Sequence, residues 1–244
     1  MMEEKILQVT NLKKCYKKTN AVDGISFSLN KGEIVALTGP NGAGKTTTIK
    51  CILGLLRKNS GAIVINGSDN KSKEVKNKLA YIPETPDIYP MLTVWEHLKF
   101  MALVYKISNW SDRGEKILAK FDILDKKDEL GKNLSKGMKQ KLSICCALIH
   151  NPEIFFIDEP LIGLDPKAVR ELKDAFRTLK DEGKTLLIST HMLDTAENLC
   201  DRIIVMKKGK VLAEGSIEEL RNKMKVSKDT SLEDIFLGVT EDER

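Results

Sequence analysis

The sequence predicts an α/β fold, a parallel β-sheet with helices packed on it, interrupted by a block of helices. Three observations predict it. Residues 34–37 and 154–157 are short unbroken apolar runs, the pattern of central strands covered on both faces. Strand-like and helix-like segments alternate before residue 85 and again after Pro152, as a parallel sheet requires. Between them, residues 85–151 read mostly as helix, with apolar side chains three to four apart.

Taken in order, residues 6–9 and 25–29 alternate with period two and predict strands separated by turn residues. Gly32 and Glu33 lead into the buried run at 34–37, a glycine-rich loop spans 39–44, and a helix is expected over 45–56. Further strands are expected at 61–66 and 79–83. In the helical block, Val94, Leu98, Met101, Val104 and Tyr105 mark one apolar face, and Leu142, Cys145, Cys146 and Ile149 mark another. Trp95 extends the first stripe, which reads as core; the other reading is that the stretch 88–95 borders a groove that receives a helix of a partner subunit. Strands return at 154–157, 185–189 and 203–206, and the tail after Glu218 predicts one or two short helices ending in acidic residues.

Composition narrows the class. A chain of 244 residues with 41% hydrophobic and 31% charged side chains can bury one large core. No apolar run approaches the roughly 18 to 20 residues that cross a bilayer, and the first ten residues lack a leader's apolar stretch, so a cytoplasmic chain is expected. Five cysteines, an odd number without zinc-like spacing, read as reduced and structural. The net charge of +5 is spread over short lysine groups with acids between them, which reads as a solvated surface; an anionic membrane face is the other partner it would suit.

The chemistry starts at Gly39, Pro40, Asn41, Gly42, Ala43, Gly44, Lys45 and Thr46, which match GxxxxGK[ST] between a buried strand and a helix. Glycines let successive backbone N–H groups close around phosphate oxygens, and the helix turns its positive end to the same anion. Lys45 is expected on the β and γ phosphates of ATP, Thr46 on Mg²⁺, and Thr47 in the same ATP-binding turn. These are the marks of a P-loop NTPase. A second acidic element follows the apolar run at 154–157: Asp158 is placed to hold Mg²⁺, and Glu159 to orient or deprotonate the attacking water.

Further segments carry a resemblance. Ser135, Lys136, Gly137 and Met138 resemble the signature of ABC ATPases and stand about twenty residues before Asp158. Gly163 to Pro166 resembles that family's D-loop, His191 its switch histidine, and Tyr16 the aromatic residue that stacks on adenine. Residues 81–86, 135–141 and 189–193 together are similar to the ATPase subunit of Ecs-type transporters of Gram-positive bacteria. The resemblance covers residues 7–220. It implies an ABC nucleotide-binding domain over 1–220, with a RecA-like core at about 1–85 and 152–220. An N-terminal antiparallel β subdomain, a helical subdomain at about 86–151 carrying the signature, and a helical tail at 221–244 complete it.

The resemblance also implies a mechanism. Two copies pair head to tail, each ATP lying between one copy's loop and the other's Ser135 and Gly137, with Asp165 working across the interface. His191 contacts the γ-phosphate. The work is delivered to a separate integral membrane transporter subunit, which makes the chain peripheral on the inner face of the membrane, in a system that resembles exporters. Read locally, Ser135 is also a plain helix N-cap, and Tyr16 a candidate core residue.

Two departures stand out. Glu84 occupies the place of the family's glutamine; a carboxylate can still ligate Mg²⁺, so a metal role is expected for it. Lys136 and Met138 replace a glycine and a glutamine. His97 and His150 have no assignable partners and read as structural. A soluble ABC ATPase acting on ribosomes or nucleic acid is the alternative. The single ATPase unit and the lack of long coiled-coil or zinc insertions speak against it, so no nucleic-acid partner is expected. A kinase or GTPase has no use for Ser135 to Met138.

Overall fold

In the computed structural model, residues 4–224, 226–227 and 230–241 are described. The start of the segment read for a leader, residues 1–3, and the acidic end of the tail, residues 242–244, lie outside them. The chain opens with β1 (Lys5–Tyr16) and β2 (Thr19–Asn30), an antiparallel pair. Then come β3 (Ile34–Thr38), α1 (Lys45–Ile52), β4 (Ser60–Ile65), β5 (Ser68–Asp69), α2 (Lys73–Lys76) and β6 (Leu79–Ile82). The helical block holds α3 (Val94–Val104), α4 (Ser111–Lys120) and α5 (Lys136–Leu148). After it run β7 (Ile154–Asp158), α6 (Pro166–Asp181), β8 (Thr185–Thr190), α7 (Leu193–Leu199), β9 (Arg202–Lys207) and β10 (Lys210–Gly215). The tail forms α8 (Ile217–Met224) and α9 (Leu232–Glu241).

Two sheets result. The antiparallel one runs β2-β1-β4-β5, and the larger runs β10-β9-β3-β8-β7-β6. In the larger sheet β9, β3, β8, β7 and β6 are parallel, and β10 is added antiparallel at one edge. The reason is visible on β7, where all five residues are buried. Phe155 packs toward the helices with Leu142, Cys145 and Phe176, while its neighbour Phe156 packs between the sheets with Leu7, Leu37 and Ile49. Burying both rings is worth ~1.5–3 kcal/mol each, and only a strand covered on both faces can do so. A third cluster seats Leu220 of α8 and Leu232 and Ile235 of α9 against Ile203 and Val205 of β9.

Several expectations shift. The helix after the loop ends at Ile52, not residue 56, because Gly54 takes a left-handed φ of 72° and its amide turns back to Cys51 O. Strand β10 went unread since, as an edge, it is only partly covered and its apolar pattern is weak. On α3, Leu98 is buried but Val104 is 57% exposed, so the apolar face stops short of it. All five cysteines are free thiols. His97 does have partners: Nε2 accepts from Tyr89 N, and Nδ1 donates to Thr93 O. So does His150, whose Nε2 donates to Leu79 O and whose ring stacks on Tyr105. Among the described residues, no helix is long and apolar enough to cross a membrane.

Candidate active site

The C-terminal ends of β3, β7 and β8 are neighbours in one sheet, and the polar residues that follow them meet there. Leaving β3, the chain turns at Gly39, where a Cβ would lie 2.3 Å from Met206 O of β9, so only glycine fits. Gly44 caps α1 without a side-chain hydrogen bond, so the first amides of the helix are offered to an anion. Lys45 folds back beneath the loop. Its ammonium donates to Gly39 O at 2.7 Å and lies 3.3 Å from Glu159 Oε1, with both side chains more than nine-tenths buried.

Asp158 ends β7. Its Oδ1 accepts from Thr46 Oγ1 at 3.0 Å and from the Ser189 hydroxyl at the end of β8. Glu159 follows in a left-handed conformation, φ 44°, uncommon for a non-glycine residue and typical of functional turns. The turn is held by the Glu159 amide, which donates to Ser189 O at 3.0 Å. It points the carboxylate at His191, whose Nδ1 donates to Glu159 Oε2 at 3.1 Å and whose backbone amide donates at 3.3 Å. Tyr81 pairs with Phe156 across β6 and β7, which puts its ring on the same face as Asp158. Burial, and then the Asp158 carboxylate, push its phenol up to about 12.

Lys45, Thr46, Asp158, Glu159 and His191 are thus one connected cluster. A paired hydroxyl and carboxylate are hard oxygen donors of the kind that suit Mg²⁺, which keeps waters and substrate phosphates for its other positions. Among the described residues no group of three or more His, Cys, Asp or Glu could hold a metal ion.

Residues 22–162, which contain the loop, the signature segment and both acids, match the family model described as ABC transporter. The chain belongs to the ABC transporter family. It is the ATP-binding component, a P-loop ATPase whose hydrolysis is coupled to transport. It is 38% identical to the ABC-type transporter ATP-binding protein EcsA of Bacillus subtilis over 98% of both chains. It is 39% identical to the SkfA peptide export ATP-binding protein SkfE of the same organism, over 85% of this chain and 87% of that one. Among solved structures, the ATP-binding subunit of an ABC transporter superposes with a TM-score of 0.88 at 38% identity, covering 96% of this chain and 99% of that one. A nucleotide-free ATP-binding cassette gives 0.81 at 29% identity, covering 95% and 98%.

The other expected site residues of this ABC ATPase lie elsewhere. Ser135 caps α5, its Oγ accepting from Met138 N at 3.3 Å, and Asp165 caps α6, accepting from Ala168 N at 2.9 Å. Gly137 faces Ala168 closely enough that a Cβ there would come within 3.1 Å. The two caps are therefore side by side, and among the described contacts none joins them to Lys45 or Asp158. Tyr16 ends β1 at 45% exposure with the Lys14 ammonium 4.8 Å over its ring, so it is a surface platform and not core. Glu84 is exposed just past β6. Sequence reasoning assigned no role to Ser189 or Tyr81, which both address Asp158. The available signal was a pair of hydroxyls, Ser189 and Thr190, closing a fully buried strand whose centre, Leu186 to Ile188, is apolar.

Proposed function

We propose that two copies of this chain pair head to tail and that Mg²⁺-dependent ATP hydrolysis between them drives a separate integral membrane subunit of an exporter. The observation that carries the reading is the division of the machinery. Lys45, Thr46, Asp158, Glu159 and His191 converge at the strand ends, whereas the capping side chains Ser135 and Asp165 bond the first turns of their own helices and, among the described contacts, neither bonds to that cluster. A second copy supplies what one copy lacks. In that pairing, residues 39–47 wrap the triphosphate and Tyr16 stacks on the base, an arrangement worth ~1–3 kcal/mol. Ser135 and the Gly137 amide close over the γ-phosphate from the facing copy, with Lys136 and Met138 completing the same signature turn and Asp165 beside them. We divide the chain accordingly into core (1–85 and 152–220), helical subdomain (86–151) and tail (221–244).

For chemistry, Thr46, Asp158 and Glu84 would hold Mg²⁺, which when bound neutralises charge on the phosphates. Glu159 accepts the proton of the attacking water, and His191 keeps that carboxylate aimed through its Nδ1–H bond. Lys45 neutralises charge as it builds on the phosphate oxygens.

Support for the membrane partner comes from a groove of about 290 Å³ between the end of β6 and the helices, lined by Ile88, Tyr89, Phe100, Met101, Tyr105 and His150. Exposed Met91, Leu103 and Val104 extend the apolar surface near it. A patch of that kind fits a helix of the membrane subunit. Export is favoured by the likeness to a peptide export protein. The expected location is the cytoplasmic face of the membrane.

The test is Glu159→Gln, which keeps the side chain's shape while Lys45 keeps its loop carbonyl. The variant should bind ATP, lose turnover by at least about 100-fold, and elute as a dimer in gel filtration only with ATP and Mg²⁺. A variant that binds ATP and stays monomeric contradicts the pairing, and one that still turns over removes Glu159 from its role.

A further inference from the structure

Lys136 stands where the family has glycine, and the structure shows where its side chain goes. It is the first residue of α5, and its ammonium donates to Ile162 O at 2.5 Å, in the turn between Glu159 and α6. The side chain lies over Gly163, where a Cβ would come 2.8 Å from Nζ. Gly163 has φ 68°, a left-handed turn that favours glycine. Gly137 separately comes close to Ala168 in the first turn of α6, beyond the turn that Lys136 reaches. Ile162 is in turn tied to Glu159, its amide donating to Glu159 O at 3.5 Å.

We propose that Lys136 is a positioning residue that latches the signature tip to the turn after Glu159 within one subunit. Contact of the tip with the partner's nucleotide is thereby relayed to the subunit's own Glu159. The relay rests on the paired reading above; the latch does not. A glycine at 136 has no side chain to cross the gap, so the tip and the turn could shift separately. With the lysine they move together, and the two nucleotide sites of a pair become coupled through it.

Hydrogen–deuterium exchange on the full chain without nucleotide tests the latch. Lys136→Met keeps most of the stem and loses the donor, and Lys136→Arg keeps a donor. The Met variant should exchange the amides of 161–164 and 137–139 about fivefold faster than wild type, with Arg restoring protection. Unchanged exchange in the Met variant overturns the latch. ATPase rate against ATP concentration tests the relay: a Hill coefficient above one should fall toward one in Lys136→Met and recover in Lys136→Arg. If the lysine instead reaches a phosphate of the facing copy, the Met change weakens ATP-driven pairing in the Glu159→Gln background and leaves exchange and Hill coefficient as in wild type, which overturns the proposal. Absence of pairing in Glu159→Gln with Lys136 intact defeats the paired reading and the relay with it, while the exchange result still decides the latch.

Discussion

Asp158 shows how much one carboxylate can gather. Thr46 comes to it from the loop and Ser189 from the neighbouring strand end, while Tyr81 shares its sheet face. The Tyr81 phenol is raised by burial first, then by Asp158 and by Glu84 beyond the end of its strand. Both carboxylates act on this one phenol, and the Mg²⁺ proposed between them would relieve their repulsion. Two unit charges ~4 Å apart interact by about 1 kcal/mol in water, a factor of about five in an equilibrium constant. Glu84→Gln should therefore raise the Mg²⁺ concentration for half-maximal ATPase activity about fivefold. An unchanged Mg²⁺ titration takes Glu84 out of the metal site. The Lys45, Thr46, Asp158 and Glu159 group was legible because its motifs are contiguous. Its link to Ser189 was not, since a serine at a strand end is ordinary until its neighbour is known.

At the scale of elements, one histidine touches both neighbours of α5 where α3 and β6 meet it, at the edge of an apolar cluster of Leu98, Leu142 and Ile82. His150 follows α5, stacks on Tyr105 at the end of α3 with centroids 3.8 Å apart, and donates to Leu79 O at the start of β6. Burial lowers its pKa below the ordinary 6.5, the nearby Arg113 and Lys184 charges add to that, and the Leu79 bond opposes them. The folded state thus takes up the proton less readily than the unfolded chain. The stabilisation is full above 6.5 and is lost as pH falls from there through the folded value. Wild type should lose more Tm between pH 7.5 and 5.5 than His150→Phe, which keeps the stack without a titrating ring. Parallel losses in the two proteins would exclude His150 as an acid-sensitive joint. Helical periodicity placed α3 and α5 in the sequence, but it assigned this histidine no partner, because ring stacking across two helices leaves no local pattern.

For the whole molecule, the apolar surface of α3 is the feature the fold itself does not use. Leu103 and Val104 are 66% and 57% exposed at the end of α3, and replacing exposed residues costs little stability, within about 0.5 kcal/mol. Leu103→Asp with Val104→Asp should leave Tm and basal ATPase near wild type while abolishing co-purification with membranes of the native host. Retained membrane association would move the partner's contact elsewhere. By itself the sequence determined the strand–loop–helix that holds phosphate, the acidic strand end and the serine-capped signature helix, because each is encoded by a handful of adjacent residues whose backbone geometry is local. Only the tertiary structure decided that Ser189 and Tyr81 address Asp158, that Lys136 reaches Ile162, and that β10 closes the sheet edge. The first two depend on which elements become neighbours after long crossovers, of which a chain's local periodicity carries no record; β10 follows β9 through a short hairpin, and its weak apolar pattern is what hid it.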